Sequence, residues 1–474
     1  MPNALHFDYL LPLSEILTVL GFVLALLLLA HLLRSKRPPQ STIAWLLTIV
    51  LLPYLGVPLY LMLGGRKMRR LALRKQNIYS KDQGESVPRA GVGAESILRS
   101  FGVPAATASN RVRLITSGVE AYEELLRFID GATRSIHVTL YLMSNDLVAQ
   151  NVVARLARKA REGVDVRVLL DSVGSWRLRR STMAPLEAAG GRFAFFMPVL
   201  HVPFRGRSNL RNHRKILVAD GRVAMTGGMN VAAEYLGPLP DPRRWKDLLM
   251  VVEGPAVADL DEIFWWDWCF ATAENPSSSP ESPSRSLTSG SQREADLTPV
   301  QVVASGPDVE GDPLYESLIT LLFSARSRIW VVTPYFVPDE ILARALDMAA
   351  RRGVDVRIMV PHRSNHRSAD LARVGYLREI HQAGGKILRY RLGMLHAKAI
   401  LIDDEVAVVG SANMDMRSLF LNYEVALFLY SHARIVEIED WFTALSAHCR
   451  AGLSRPNWLR ELTENVVRLL SPLL

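Results

Sequence analysis

The sequence predicts an α/β protein of two similar units with mixed sheets flanked by helices, preceded by a transmembrane helical hairpin. Three observations predict it. A polar motif occurs twice in register, strand-like and helix-like segments alternate on either side of each copy, and the first 63 residues hold two long apolar runs. Strands alternating with helices imply a mostly parallel or mixed sheet covered by helices. The boundaries are a membrane-anchoring hairpin over 1–70, a linker over 71–105 and a first half over 106–273. A flexible linker over 274–299 and a second half over 300–474 complete the chain.

At the N-terminus, Leu10–Leu33 is almost wholly apolar, and Ile43–Leu63 has no charged residue. Each approaches the roughly 20 residues that cross a bilayer as a helix. Arg34, Lys36, Arg37, Pro38 and Pro39 form the turn. Pro53 and Pro58 suit a kinked or re-entrant path as well as a spanning one. Residues 1–9 lack Lys and Arg, which counts against a cleaved signal peptide. Arg66, Lys67, Arg69, Arg70, Arg74 and Lys75 outnumber the basic residues of the turn, which favours a cytoplasmic catalytic side. A basic run beside a membrane also attracts anionic lipid.

Residues 76–105 are polar and Gly-rich, as a linker would be. In the first half, strands are predicted over Val112–Thr116, Ser135–Leu142 and Val164–Leu170, with helices over Val119–Phe128 and Leu147–Arg161. In the second, strands over Val300–Ala304, Ile329–Thr333 and Val354–Val360 enclose helices over Leu314–Phe323 and Ile341–Arg351. Arg161-Glu-Gly163-Val-Asp-Val-Arg167 matches Arg351-Arg-Gly353-Val-Asp-Val-Arg357, and Ala189-Gly-Gly191 matches Ala383-Gly-Gly385. Residues 274–299 are rich in Ser and Pro and cannot bury a core. The aromatic run Phe264-Trp-Trp-Asp-Trp268 suits either a membrane interface or a core helix. Cys269 and Cys449 make no disulfide framework and read as core fillers.

The repeated motif is His213-Arg-Lys215, Asp220 and Asn230, then 183 residues later His396-Ala-Lys398, Asp403 and Asn413. Residues 214–219 and 397–402 are apolar enough to be buried strands, which would put each His and its Lys on one face. An imidazole can attack phosphorus or move a proton. Lys215, Lys398, Asn230 and Asn413 can hold phosphate oxygens. Asp220 and Asp403 belong to the candidate catalytic set, but each sits at a strand end where it could instead accept turn amides. Asp247 and Glu424 each open an apolar strand downstream of a motif. Each is the candidate to orient the imidazole of its own half. No carboxylate or His cluster has metal-ligand spacing, so neither metal nor cofactor is expected. The net charge of +9 fits an anionic partner.

These residues resemble the phospholipase D superfamily, whose signature is a doubled His-x-Lys-x4-Asp. His213–Gly254, with Trp245-Lys-Asp247, and Leu395–Tyr430, with Asp415-Met-Arg417-Ser418 and Asn422-Tyr-Glu424, are similar to bacterial cardiolipin synthases. The resemblance implies a pseudo-two-fold axis that brings the motifs into one site. It implies a phosphatidyl-histidine on His213, with His396 as acid and base. One phosphatidylglycerol would donate its phosphatidyl group to another, leaving glycerol and giving cardiolipin. Phosphatidylglycerol and anionic lipid of a bacterial inner membrane are then the expected partners, and nucleic acid is not. The residues alone leave open which His attacks and whether water or an alcohol accepts. A phospholipase D-type hydrolase, a nuclease of the superfamily and a non-catalytic membrane scaffold are the alternatives.

Overall fold

The structure is a computed structural model that describes residues 10–34, 39–54, 56–57, 60, 92–197, 210–275, 297–453, 458 and 462–464. The chain falls into a small unit drawn mainly from residues 1–68 and a large one comprising 69–199 and 210–474.

In the small unit, α1 (Leu10–Arg34) and α2 (Pro39–Leu51) occupy the two apolar runs. Leu28, Leu32, Ile49 and Tyr60 pack together, with the Trp45 and Tyr60 rings edge to face at 5.3 Å. The second run differs from expectation. α2 has 13 residues, about 20 Å at 1.5 Å per residue. It stops at Leu51 because Pro53 disfavours helical backbone in the residue before it and lacks an N–H. Although α1 has 25 residues, no helix is long and apolar enough to cross a membrane, taken over the described residues. The expected transmembrane hairpin is thus present as two helices rather than as two demonstrated spans.

In the large unit, α3 (Val92–Ser100) is a correction to the predicted linker. Ala94 and Leu98 bury themselves in the core of the second half, and Val103 follows them. The polar character of this stretch hid a helix with a single apolar stripe. The first half then runs β1 (Thr107–Ile115), α4 (Gly118–Gly131), β2 (Ser135–Leu140), α5 (Leu147–Arg161), β3 (Asp165–Asp171), α6 (Arg180–Ala188), β4 (Arg192–Phe196), β5 (Ile216–Ala219), β6 (Val223–Gly227), β7 (Leu249–Glu253) and α7 (Ala256–Thr272). The second half repeats it. β8 (Thr298–Ser305), α8 (Pro313–Ser324), β9 (Arg328–Val332), β10 (Phe336–Val337), α9 (Glu340–Arg351), β11 (Asp355–Pro361), α10 (Arg367–Gln382) and β12 (Lys386–Tyr390) come first. β13 (Ala399–Ile402), β14 (Val406–Gly410), β15 (Met414–Asp415), α11 (Met416–Phe420), β16 (Glu424–Leu429), α12 (His432–Ser446) and β17 (Cys449–Ala451) follow.

Local signals explain the boundaries. Asp146 and Asp339 cap α5 and α9 by accepting the amides of Ala149 and Leu342. Both helices end on Gly163 and Gly353, at φ +90° and +87°, where only glycine sits without strain. The matched Arg-x-Gly-Val-Asp-Val-Arg segments are therefore helix stops leading into buried strands.

The strand order of each half is the same, except that the second adds the edge strand β17. From the centre outward it is β1-β7-β6-β5-β2-β3-β4 in one direction and β8-β16-β14-β13-β9-β11-β12-β17 in the other. β1 and β8 pair antiparallel and fuse the two into one sheet of 15 strands, with a register irregularity between Thr107 and Asn110. The sheet is mixed: β2-β3-β4 and β9-β11-β12 are parallel, the rest antiparallel.

Both faces are covered. Ile216 and Val218 join α7 and α12 in one core shared by the halves, whereas Leu217 and Ala219 face α4 and α5. That two-sided burial is why these strands read as unbroken apolar runs. The aromatic run lies in α7. Phe264, Trp265 and Trp268 are core side chains, so the core reading of this run holds and the membrane-interface reading does not. Cys269 is buried in the same cluster, and Cys449 is partly buried on the edge strand.

Candidate active site

The His-x-Lys segments lie just before their strands. β5 begins at Ile216 and β13 at Ala399, later than the expected strand starts, so the motif residues occupy extended lead-in segments at the sheet edge. What fixes them is the opposite half. The His213 amide donates to the Tyr423 carbonyl and the Tyr423 amide to the Arg211 carbonyl, both at 2.9 Å. By the same pattern, the His396 amide donates to Lys246 at 2.7 Å and the Lys246 amide to Met394 at 2.9 Å. The next residue beyond each clasp is the acid.

This clasp corrects the expected pairing. His213 Nδ1 lies 2.9 Å from Glu424 Oε2, and His396 Nδ1 lies 2.7 Å from Asp247 Oδ2. Each imidazole is oriented by the carboxylate of the other half, not of its own. The acids are the expected ones; the partners are exchanged. A carboxylate can only accept, so Nδ1 carries the proton in both rings and Nε2 keeps its lone pair. His213 and His396 are 8% and 5% exposed, so the lone pairs sit in a largely dry site.

The two carboxylates are held differently. Ser411 Oγ and Asn422 Nδ2 also donate to Glu424. The position matching Ser411 in the first half is Gly228, where a Cβ would lie 2.1 Å from Asp247 Oδ1. The Gly-Gly and Gly-Ser variants of the repeat are thus fitted to the acid each one packs against.

Electrostatics favours neutral rings beside ionised acids. Burial lowers the His213 pKa below its ordinary value although Glu424 opposes this. Burial and Lys398 lower that of His396 to about 3, against the pull of Asp247. Burial opposes ionisation of Glu424 and Asp247. Their His and Lys neighbours outweigh it, and both stay below the usual carboxylate range. Burial also brings Lys215 down to about 7 and Lys398 to about 8. Lys215 Nζ donates to the His213 carbonyl at 2.7 Å, and Lys398 Nζ to that of His396. Lys398 Nζ also stands 2.8 Å from His396 Nδ1, but the carboxylate takes that proton.

Asn230 Oδ1 accepts the Leu142 amide at 3.1 Å, which leaves its NH2 group as the donor. Asn413 is buried with its Nδ2 3.2 Å from Ser418 Oγ, and its Oδ1 has no hydrogen-bond partner among the described residues. A half-turn of that amide lets Oδ1 accept from Ser418 and frees Nδ2 as a donor.

Asp220 and Asp403 do not join this cluster. Asp220 accepts the amides of Thr133, Arg134 and Ser135 at the start of β2, and Asp403 those of Arg326, Ser327 and Arg328 at the start of β9. The amides come from the segment that leads into the neighbouring strand and not, as expected, from the turn that follows each Asp. Both sit at positive φ, 56° and 49°, a conformation Asp tolerates better than most side chains.

Sequence reasoning missed several site residues. The edge of the Tyr141 ring meets His213 at 4.8 Å between centroids, and Tyr335 stands 6.5 Å from His396. Thr139-Leu-Tyr141 and Thr333-Pro-Tyr335 repeat at the spacing of the Ala-Gly-Gly pair, which was the available signal. Tyr235 Oη is 3.5 Å from His396 Nε2. Arg214, fully buried, donates to Asp267 at 2.7 Å, to Asp308 at 3.2 Å and to the Glu424 carbonyl at 3.1 Å. It locks the first His-x-Lys segment to the second half. Among the described residues, no three His, Cys, Asp or Glu side chains are grouped to hold a metal ion.

A family model described as cardiolipin synthase, phospholipase D-like domain matches residues 125–268 and 318–446. The chain belongs to the phospholipase D-like cardiolipin synthase family. A second model, phospholipase D-nuclease N-terminal, matches residues 23–65. Cardiolipin synthase 1 of Bacillus cereus is 33% identical over 93% of this chain and 90% of its own length. The cardiolipin synthase of Alkalihalophilus pseudofirmus is 36% identical over the same shares. Cardiolipin synthase A of Pseudomonas aeruginosa is 34% identical over 96% of this chain and 94% of its own. Among solved structures, the phosphatidylserine synthase of Haemophilus influenzae aligns over 80% of this chain and all of its own, with a TM-score of 0.59 at 16% identity. That likeness shows the fold.

Proposed function

We propose that this chain is a membrane-bound phosphatidyltransferase that makes cardiolipin from two molecules of phosphatidylglycerol. The observation that carries the reading is the pair of buried imidazoles, each hydrogen-bonded to a carboxylate of the other half and flanked by a lysine. The family membership and the relatives named cardiolipin synthase support the lipid chemistry. Residues 106–273 and 300–474 are the two catalytic halves, and residues 1–70 anchor them.

In the proposed step, His213 Nε2 attacks the phosphorus of one phosphatidylglycerol. The bond from phosphorus to the glycerol oxygen breaks, and that oxygen takes a proton from His396. The negative phosphodiester raises the His396 pKa from its free value, so the imidazolium needed for this transfer forms once substrate is bound. Glu424 and Asp247 balance the charge on the two rings. Lys215, Lys398, Asn230 and Asn413 hold the non-bridging oxygens. In the second half-reaction His396 takes the hydroxyl proton of another phosphatidylglycerol, whose oxygen displaces His213. Water in place of that hydroxyl would give phosphatidic acid, the hydrolase alternative.

Exposed apolar side chains along the two N-terminal helices, among them Phe22, Leu26, Leu27, Leu47 and Val50, support insertion into a bilayer. The experiment is a trap with phosphatidylglycerol labelled in its phosphatidyl group. Wild type becomes labelled on His213. His213→Ala takes no label, and neither His213→Ala nor His396→Ala makes product, while both keep the wild-type circular dichroism. Label retained by His213→Ala would reverse the roles of the two rings.

A further inference from the structure

The second half carries a basic cleft that the chemistry above does not use. It encloses about 380 Å³ between the ends of β11 and β12, the edge strand β17 and the first half of α10. Arg363, Arg373, Arg389, Arg450 and His362 line it, against the single carboxylate of Asp370. That carboxylate is already engaged. One oxygen accepts the Ser364 amide at 2.8 Å, and the other lies 2.9 Å from Arg373 Nη2.

Two features favour an anion there. Arg389 and Arg450 are direct cross-strand partners, and like charges facing each other across a ladder are destabilising. Arg373 is 5% exposed. Its Nη2 donates to the Pro361 carbonyl at 2.7 Å, but Nη1 has no hydrogen-bond partner among the described residues. A buried guanidinium N–H without an acceptor is rare and calls for an explanation. Desolvation and the neighbouring guanidiniums also hold the His362 pKa below its ordinary value. Forked guanidinium donors match the oxygens of a phosphate in pairs, and phosphate brings more oxygens to several guanidiniums than a carboxylate does.

We propose that this cleft is a second phosphate-binding site, which takes a phosphomonoester or phosphodiester anion, either on a lipid headgroup or free in solution. Its strands are offset from the imidazole pair along the sheet. β9 and β11 lie between β12 and β13 in the sheet, a displacement of about 14 Å at the usual strand spacing. The site stands whether or not the transfer reaction is as described, because its test reads binding and not turnover.

The test uses the full chain in detergent with His213→Asn to stop turnover. Short-chain phosphatidylglycerol and, separately, inorganic phosphate are titrated by calorimetry. Arg363 and Arg450 are both exposed, so Arg363→Ala/Arg450→Ala should leave the melting temperature unchanged. The number of anions bound per chain should fall by one, or that event weaken by about tenfold or more. Arg389→Ala alone should weaken the same event, and serves as the readout should the double variant lose its fold. Loss of lipid binding alone assigns the site to a headgroup, and loss of phosphate binding as well assigns it to the free anion. Isotherms of both ligands unchanged by the substitutions would overturn the proposal.

Discussion

Replacing Glu424 by Gln removes the charge opposite His213 and little else. The side chain keeps its length, and its oxygen can still accept from Ser411 or Asn422, the other two groups that donate to Glu424. What is lost is the charge-assisted bond at 2.9 Å to an imidazole that becomes cationic in the transition state. A hydrogen bond to a charged group contributes about 1.5–3 kcal/mol. At 1.36 kcal/mol per decade this predicts a loss of roughly tenfold to 150-fold in rate. Asp247→Asn should cost a similar factor through His396. The two differ in which chemical step they slow. With a phosphatidyl donor whose leaving group is p-nitrophenol, departure needs little acid assistance. Glu424→Gln should then slow the burst of p-nitrophenol, and Asp247→Asn should leave the burst near wild type while slowing transfer to the acceptor. Peptide mapping of the labelled enzyme identifies the His that carries the phosphatidyl group. If that residue is His213 and Asp247→Asn, not Glu424→Gln, slows the burst, the cross-half pairing is wrong.

Three further outcomes are expected. Lys215 and Lys398 bind anions only when protonated, and their pKa values near 7 and 8 place the loss of charge in that range. The rings must be neutral to act as nucleophile or base, and burial holds the His213 pKa below the ordinary imidazole range. kcat/KM should therefore fall as pH rises through 7 to 8 and fall again only in acid below the ordinary imidazole range; a flat profile from pH 6 to 9 would count against the lysine assignment. Arg214→Met should destabilise the fold by about 3–5 kcal/mol in denaturant titration, because Asp267 and Asp308 lose their buried guanidinium; a change under 1 kcal/mol would show that the lock is not needed. Reporter fusions at the C-terminus should be active in the cytoplasm and silent in the periplasm, and the opposite result would invert the membrane orientation.

Much of the fold was legible because the strands buried on both faces are apolar and the helices between them are capped. α5 has the predicted bounds, Leu147–Arg161, because Asp146 opens it and Gly163 closes it. The linker helix α3 escaped because nine residues with one short apolar stripe lie below what periodicity resolves. The His and Lys residues of the candidate site were visible because the motif occurs twice. The partner of each imidazole was not. His213 and Glu424 are 211 residues apart, and His396 and Asp247 are 149 apart. Local spacing favours the acid nearer in the chain. The choice is made instead by Tyr423 and Lys246, whose backbones clasp the opposite motif. Nothing in a side-chain pattern encodes a main-chain hydrogen bond across the axis between the halves.

The central claim is transfer of a phosphatidyl group between two lipids through paired imidazoles. Mass spectrometry of the products formed by purified full-length protein in phosphatidylglycerol vesicles, with chelator present, tests it most directly. The account predicts cardiolipin and free glycerol in equal amounts, at a rate the chelator does not change. Phosphatidic acid as the main product, or activity that disappears until a divalent ion is restored, would contradict it.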